Sequence, residues 1–260
     1  METYILILVG LFGVAVGSFL NVLIYRMPRD IPFAAGRSLC PSCGSRLKWY
    51  HNIPLVSFIF LRGKCGYCAE RIPWRYPVVE LLNGTAWVYL WWYLGSSYSF
   101  IVWALFVSAL IVIFFVDIEH QIIPDLITLP GIGLGLAASL LPGGIGIISA
   151  AVGMLVGGGA LYLVALLGDL LFKKESMGGG DIKMAAMLGT FLGWQKVLLV
   201  FISAAAIGLV VSLVMLGLST KLRENRMIPF GPFLAVAAVI SAFYGDTIIH
   251  FYLTTFVQVH

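Results

Sequence analysis

Two aspartates stand at the edges of apolar runs in a chain where only 11% of residues are charged. Asp117 ends the run 111–116, and Asp181 closes Gly178-Gly179-Gly180-Asp181 and opens another apolar segment. A carboxylate beside a bilayer core is costly and is a functional-site hypothesis by default. Brought together, the two form an acid/base pair able to split a peptide bond. One carboxylate activates water, and the other protonates the carbonyl oxygen or the leaving amine. At a poorly solvated boundary two such groups cannot readily both ionise, so the pair titrates as a unit. On these residues alone, a proton or ion relay and simple helix-terminus structure remain open. No G-x-S-x-G or H-E-x-x-H pattern competes, and there are only 4 histidines.

The flanks add local detail. After Asp117, Glu119 and His120 fall in a short loop where solvation accounts for them. Pro124 then suits the first position of the next helix, with Asp125 in its first turn. Before Asp181, Gly178 and Gly180 permit unusual backbone angles and close approach of another segment. A helix starting there favours an ionised Asp181, and Lys183 adds nearby positive charge. A glycine-rich loop before a helix also suits phosphate, but there is no G-x4-G-K-[ST] and no βαβ context.

A second constellation is Cys40-Pro41-Ser42-Cys43 and Cys65-Gly66-Tyr67-Cys68, which holds all 4 cysteines of the chain. Two C-x2-C turns place four thiolates on one tetrahedral Zn2+. Gly44 and Gly66 suit knuckle turns with positive φ. The surrounding segment is too small and polar for its own core, so a metal staple has a purpose. Redox chemistry is the rival, weakened by the missing βαβ pattern and by a cytoplasmic setting. His51 reads as a surface histidine, because the cysteines already fill the shell.

The elements that position these groups are apolar. Hydrophobic residues make up 60% of the 260, and mean hydropathy is +0.99, the composition of a polytopic membrane protein. With about 20 residues per crossing, eight segments emerge, at 4–25, 77–94, 99–116, 124–141, 145–167, 182–194, 197–218 and 228–249. No basic stretch precedes the first, so it reads as a retained span. With the N-terminus outside, the inside segments are 26–76, 117–123, 168–181 and 219–227. Of the 16 Lys and Arg, only Lys196 lies away from them, as the positive-inside rule requires. The net charge of +4 thus reflects topology and calls for no nucleic-acid partner. The expected fold is all-α: an eight-span bundle with a small cytoplasmic zinc module between the first and second spans. Glycine pairs at 131/135, 153/157 and 189/193 are read as close helix packing. The division is 1–25 for the first span, 26–76 for the zinc module and 77–260 for the bundle carrying both aspartates.

Taken in order, these motifs resemble the bacterial prepilin peptidases, the G-x-G-D aspartic proteases of type IV pilus and type II secretion systems. The resemblance runs through Gly17-Ser18-Phe19-Leu20-Asn21-Val22, the paired C-x2-C motifs and Arg75-Tyr76-Pro77-Val78-Val79-Glu80. It continues through Asp117 with Ile123-Pro124-Asp125, Gly178 to Lys183, and Pro229-Phe230-Gly231-Pro232-Phe233. It implies a multi-pass protein of the bacterial inner membrane in which Asp117 and Asp181 are catalytic. The implied substrates are prepilins or pseudopilins, whose freed N-terminal amine is then methylated from S-adenosylmethionine. It also implies that the cysteines are not proteolytic ligands, since relatives lacking them still cleave, and makes 26–76 the candidate methyltransferase region. No methyl-donor signature is present. Arg75 and Glu80 are the candidates for such a site, with a structural contact between them the simpler reading. Peptidase activity alone and a proton-coupled transporter are the alternatives. The near absence of charge inside the third to eighth spans counts against the transporter.

Overall fold

A computed structural model of the chain describes residues 2–32, 36, 38–174, 176–218 and 228–257. Among them are eight α-helices and no β-strand beyond two isolated bridges. Seven carry the apolar segments: α1 (Glu2–Arg26), α3 (Arg75–Leu94), α4 (Tyr98–His120), α5 (Asp125–Ala138), α6 (Ile147–Phe172), α7 (Gly179–Leu218) and α8 (Gly231–Tyr252). The short α2 (Val56–Phe60) lies in the cysteine segment. The expected inside segment 219–227 lies outside the described residues.

The eight expected crossings are carried by seven helices, because α7 joins two across a kink at Gly193, at the boundary expected between the sixth and seventh segments. Lys196, just past the kink, meets Asp246 Oδ2 of α8 with its Nζ at 2.7 Å. A straight helix of 40 residues would run about 60 Å, twice the hydrocarbon thickness. Gly193 interrupts it with φ 78° and ψ 170°, a conformation open to glycine. Gly193 therefore makes a bend and also packs closely, as expected of it: a Cβ at Gly153 of α6 would lie 2.9 Å from its Cα.

Among the described residues, five helices are long and apolar enough to cross a bilayer: those over Thr3–Arg29, Tyr98–His120, Ile147–Phe172, Gly179–Met215 and Gly231–Phe256. α3 is diluted by Glu80, Asn83 and its Trp and Tyr residues, and α5 has 14 residues, about 21 Å. Pro124 caps α5 and does not occupy its first turn. Large side chains such as Leu8, Leu11, Leu155 and Leu171 remain exposed, as a lipid-facing surface requires.

The chain forms two compact units, 1–116 and 117–260, divided within α4. In the first, small residues bring α1 against α3: a side chain at Gly17 would come within 2.7 Å of Glu80 Cα. A buried polar chain then ties three helices. Asn83 Nδ2 donates to Gly13 O (2.7 Å), Ser108 Oγ to Asn83 Oδ1 (2.7 Å), and Trp87 Nε1 to Ser108 Oγ (3.1 Å). In an apolar interior such mutual satisfaction removes the cost of each group.

The second unit is built on glycine contacts, as the glycine pairs predict. Gly153 of α6 faces the Gly189 backbone of α7, Gly157 faces Ala185 O, and Gly131 and Gly135 of α5 face Met187 and Thr190. A Cβ at Gly189 would overlap the Gly153 carbonyl, so Gly189→Ala must push α6 and α7 apart. The expected cost is about 1–3 kcal/mol, read as a lower melting temperature in detergent; an unchanged melt would refute the contact.

Candidate active site and metal centre

Asp117 occupies the last turn of α4 and is only 5% exposed. Its Oδ2 accepts the backbone N–H of Gly231 at 3.0 Å, the first residue of α8, so the carboxylate faces the positive end of a helix. Nothing larger than glycine fits there: a Cβ on residue 231 would lie 2.6 Å from that oxygen. Asp181 sits in the first turn of α7, its N–H donating to Gly178 O at 3.1 Å. Its Oδ1 is buried and has no hydrogen-bond partner. The two carboxylates lie within electrostatic reach of each other. Ile123 lies between their supports, touching the position of a Cβ on Gly180 (2.9 Å) and of one on Gly231 (3.2 Å).

The glycine run thus does what its composition predicts at Gly180, where the backbone passes directly over Ile123. Lys183 behaves differently from the expectation. Its Nζ grips both oxygens of Asp125 at 2.6 and 2.8 Å, joining the starts of α7 and α5, so it supports the site by positioning helices. Two features escape sequence reasoning. Gly231 holds Asp117 across 114 positions, and the only hint is a glycine flanked by prolines at the start of an apolar segment. Asp169 accepts from Ser176 N and Oγ at 2.7 and 2.9 Å, pinning the loop that leads into the glycine run.

The cysteine segment folds as two similar turns. Cys40 N donates to Ser45 O (3.0 Å) and Gly44 N to Cys40 O (2.9 Å); Cys65 N donates to Glu70 O (2.8 Å) and Ala69 N to Cys65 O (3.0 Å). Gly44 has φ 67°, as expected, but the matching residue in the second turn is Ala69 at φ 58°. Gly66 does not carry the positive φ. It instead leaves room for His51, whose ring atoms would lie 3.3 Å from a Cβ there. His51 is half-buried, not a surface residue, with its ring edge-on to Tyr50 (4.6 Å) and Tyr67 (5.3 Å).

All four sulfurs lie within 4.8 Å of one another, Cys40 and Cys68 at 3.9 Å. A tetrahedral zinc with 2.3 Å bonds separates its sulfurs by roughly 3.8 Å, so the four residues fit one ion. Hydrogen bonds from the Ser45 side chain and backbone lower the Cys43 thiol to about 6. Those from the Cys68 and Tyr67 backbone lower Cys65. A Glu70 backbone hydrogen bond opposes the shift at Cys68, but burial and the neighbouring cysteines push that thiol up to about 12. Cys43 and Cys65 thus ionise readily, and a metal must displace the proton of Cys68.

Of the two candidates for a donor site, Glu80 is 7% exposed and its Oε2 accepts the N–H of Leu55 at 2.8 Å. The Arg75 guanidinium lies 4.9 Å from the Tyr76 ring centre.

Fold and sites together describe a multi-pass α-helical membrane protein with a metal-competent cluster of four cysteines and a sheltered pair of aspartates. Residues 11–94 match the family described as Bacterial Peptidase A24 N-terminal domain, and residues 104–213 the Type IV leader peptidase family. A prepilin leader peptidase/N-methyltransferase of Legionella pneumophila is 33% identical over 96% of this chain and 95% of its own length. Proteins of the same name from Stutzerimonas stutzeri and Pseudomonas aeruginosa are 37% and 35% identical, over 93% and 94% of this chain and 91% of each relative. No solved structure matches. The chain belongs to the type IV leader peptidase family.

Proposed function

We infer that this protein removes the basic leader from type IV prepilins and pseudopilins, and that it then methylates the exposed N-terminal amine with S-adenosylmethionine. The observation that carries the first step is the aspartate pair. Asp117 is buried and oriented by the Gly231 N–H, beside an Asp181 with one oxygen unengaged. One carboxylate takes a proton from water as it attacks the scissile carbonyl, and the other protonates the departing amine; the peptide bond breaks into acid and amine with no cofactor. The supports around the pair are backbone and helix ends, which hold its geometry before substrate arrives.

The positive-inside distribution supports an N-terminus outside and both aspartates at the cytoplasmic face. That is where a basic leader joins its hydrophobic helix. The segment 26–76 is the zinc-stapled cytoplasmic module, and 77–260 carries the peptidase pair. The family relationship and the relatives' shared N-methyltransferase name support the second activity.

The test is to reconstitute the purified chain with a synthetic prepilin and S-adenosylmethionine and to follow the peptide by mass spectrometry. The expected products are the free leader and a mature peptide heavier by one methyl group. An intact prepilin would refute the peptidase, and a cleaved but never methylated product the second activity.

The zinc assignment makes its own prediction. Metal analysis of the reduced protein is expected to find about one zinc per chain, lost in Cys65→Ser and on treatment with a strong chelator. Removal should abolish methylation while leaving cleavage within about threefold, because the cysteines belong to the first compact unit and both aspartates to the second; binding energy of this kind is folding energy of the module itself. Metal-free protein with intact thiols and full methylation would contradict it.

A further inference from the structure

The first unit holds a half-open cavity of about 970 Å³ between the ends of α1 and α3 and the cysteine turns. That is the upper end of the roughly 300–1,000 Å³ typical of small-molecule sites. Its wall is mainly apolar with a few polar groups, and two of these are nine-tenths buried. Asn21, 2% exposed, donates from Nδ2 to Tyr76 O at 3.0 Å and to Gly17 O at 3.4 Å. Both partners are carbonyls, which only accept, so the orientation of the amide is set. Its Oδ1 is left buried without any donor, a costly omission in a helix of this kind.

Glu80 faces the same space. One of its oxygens is bonded to Leu55 N–H, and Leu55 is held at φ 58° to deliver that bond. With φ 58° and ψ −46°, Leu55 is the centre of a γ-turn closed by Val56 N–H on Pro54 O at 2.6 Å, a rare and strained form that persists only where its surroundings over-determine it. A carboxylate has about four acceptor positions, so the Leu55 bond and one from the Ser18 side chain still leave capacity for a ligand. His51, with an unpartnered buried Nδ1, and the Tyr25 and Tyr76 rings complete the wall, with Arg71 at its rim.

We propose that this cavity is the methyl-donor site, binding S-adenosylmethionine through Asn21 and Glu80. The proposal rests on the methyltransferase reading above and locates it. The residues fit the donor's chemistry. A carboxylate suits the vicinal hydroxyls of a ribose or an ammonium group, and an unpaired amide oxygen suits an adenine or ammonium N–H. Aromatic faces suit a sulfonium cation, and Arg71 suits the donor's carboxylate. When bound, the donor supplies a methyl group to the lone pair of the free amine, the carbon–sulfur pair returning to sulfur and one proton leaving nitrogen. The zinc turns carrying Cys40 and Cys65 form part of the wall, which gives the metal a role in shaping this cavity and none in the bond changes.

The experiment uses the full chain in detergent and measures tritiated S-adenosylmethionine binding by equilibrium dialysis, with leader cleavage assayed in parallel. Glu80→Gln and Asn21→Leu are expected to weaken binding on the order of tenfold or more, whereas Asp181→Asn binds normally. Unchanged affinity in both cavity variants would overturn the proposal. Irradiating the wild-type protein with the labelled donor and mapping the cross-linked peptides supplies a test independent of variant folding. Label within 18–26 or 76–80 is expected, and label confined to 117–260 overturns the assignment. Absence of both donor binding and methylation in the wild type, with cleavage intact, would also overturn it and would show that the methyltransferase reading itself had failed.

Discussion

Asp181→Asn is expected to lower leader cleavage by roughly three orders of magnitude or more, within the range carried by a positioned acid or base. The substitution preserves volume, and the side chain's Oδ1 has no partner to lose, so the fold should persist. What disappears is the ability to exchange a proton. An amide neither accepts one from water nor passes one to an amine. Methylation of a peptide supplied already cleaved should continue at the wild-type rate, since that reaction needs no carboxylate from the second unit. Initial rates on the two substrates, measured side by side, separate the activities. Cleavage within tenfold of the wild type would remove Asp181 from the chemistry.

Gly231→Ala carries the second large effect, through a residue with no chemistry of its own. The added carbon would stand 2.6 Å from Asp117 Oδ2, closer than such atoms approach, and a tight 3.2 Å from Ile123 Cδ1. Either α8 withdraws, and the N–H that orients the carboxylate goes with it, or Asp117 rotates away from Asp181. A displacement of about 1 Å at a reacting group can cost about a hundredfold, and a loss of that size is expected in leader release. Gly133→Ala is the matched control: a Cβ there meets nothing within 4 Å, and cleavage should be unaffected. Equal rates for the two variants would show that the Gly231 contact does not govern Asp117.

Much of this site is visible before folding. The rarity of charge makes Asp117 and Asp181 conspicuous, and the paired C-x2-C spacing marks the metal cluster, since both signals are local. The supports are not local. The Gly231 bond to Asp117 joins residues 114 positions apart, and the Lys183 grip on Asp125 spans 58; neither spacing has a periodicity that reveals it. The break expected between the sixth and seventh segments is a local signal too, and it falls at Gly193, whereas the pairing of Lys196 with Asp246, 50 positions away on another helix, has no such signal. At the second cysteine turn, composition favours Gly66 for the left-handed position, whereas hydrogen bonding to Cys65 O puts Ala69 there. Apolar runs report where helices lie, but the pairing of their polar exceptions follows from tertiary contact.

The central claim is that Asp117 and Asp181 act as one catalytic unit. A double-mutant cycle on leader release tests it most directly, with Asp117→Asn, Asp181→Asn and the combined variant assayed under identical conditions. Groups that act together are strongly non-additive, so each single variant should lose about as much rate as the pair does. Losses that multiply, or appreciable cleavage by either single variant, would contradict the account.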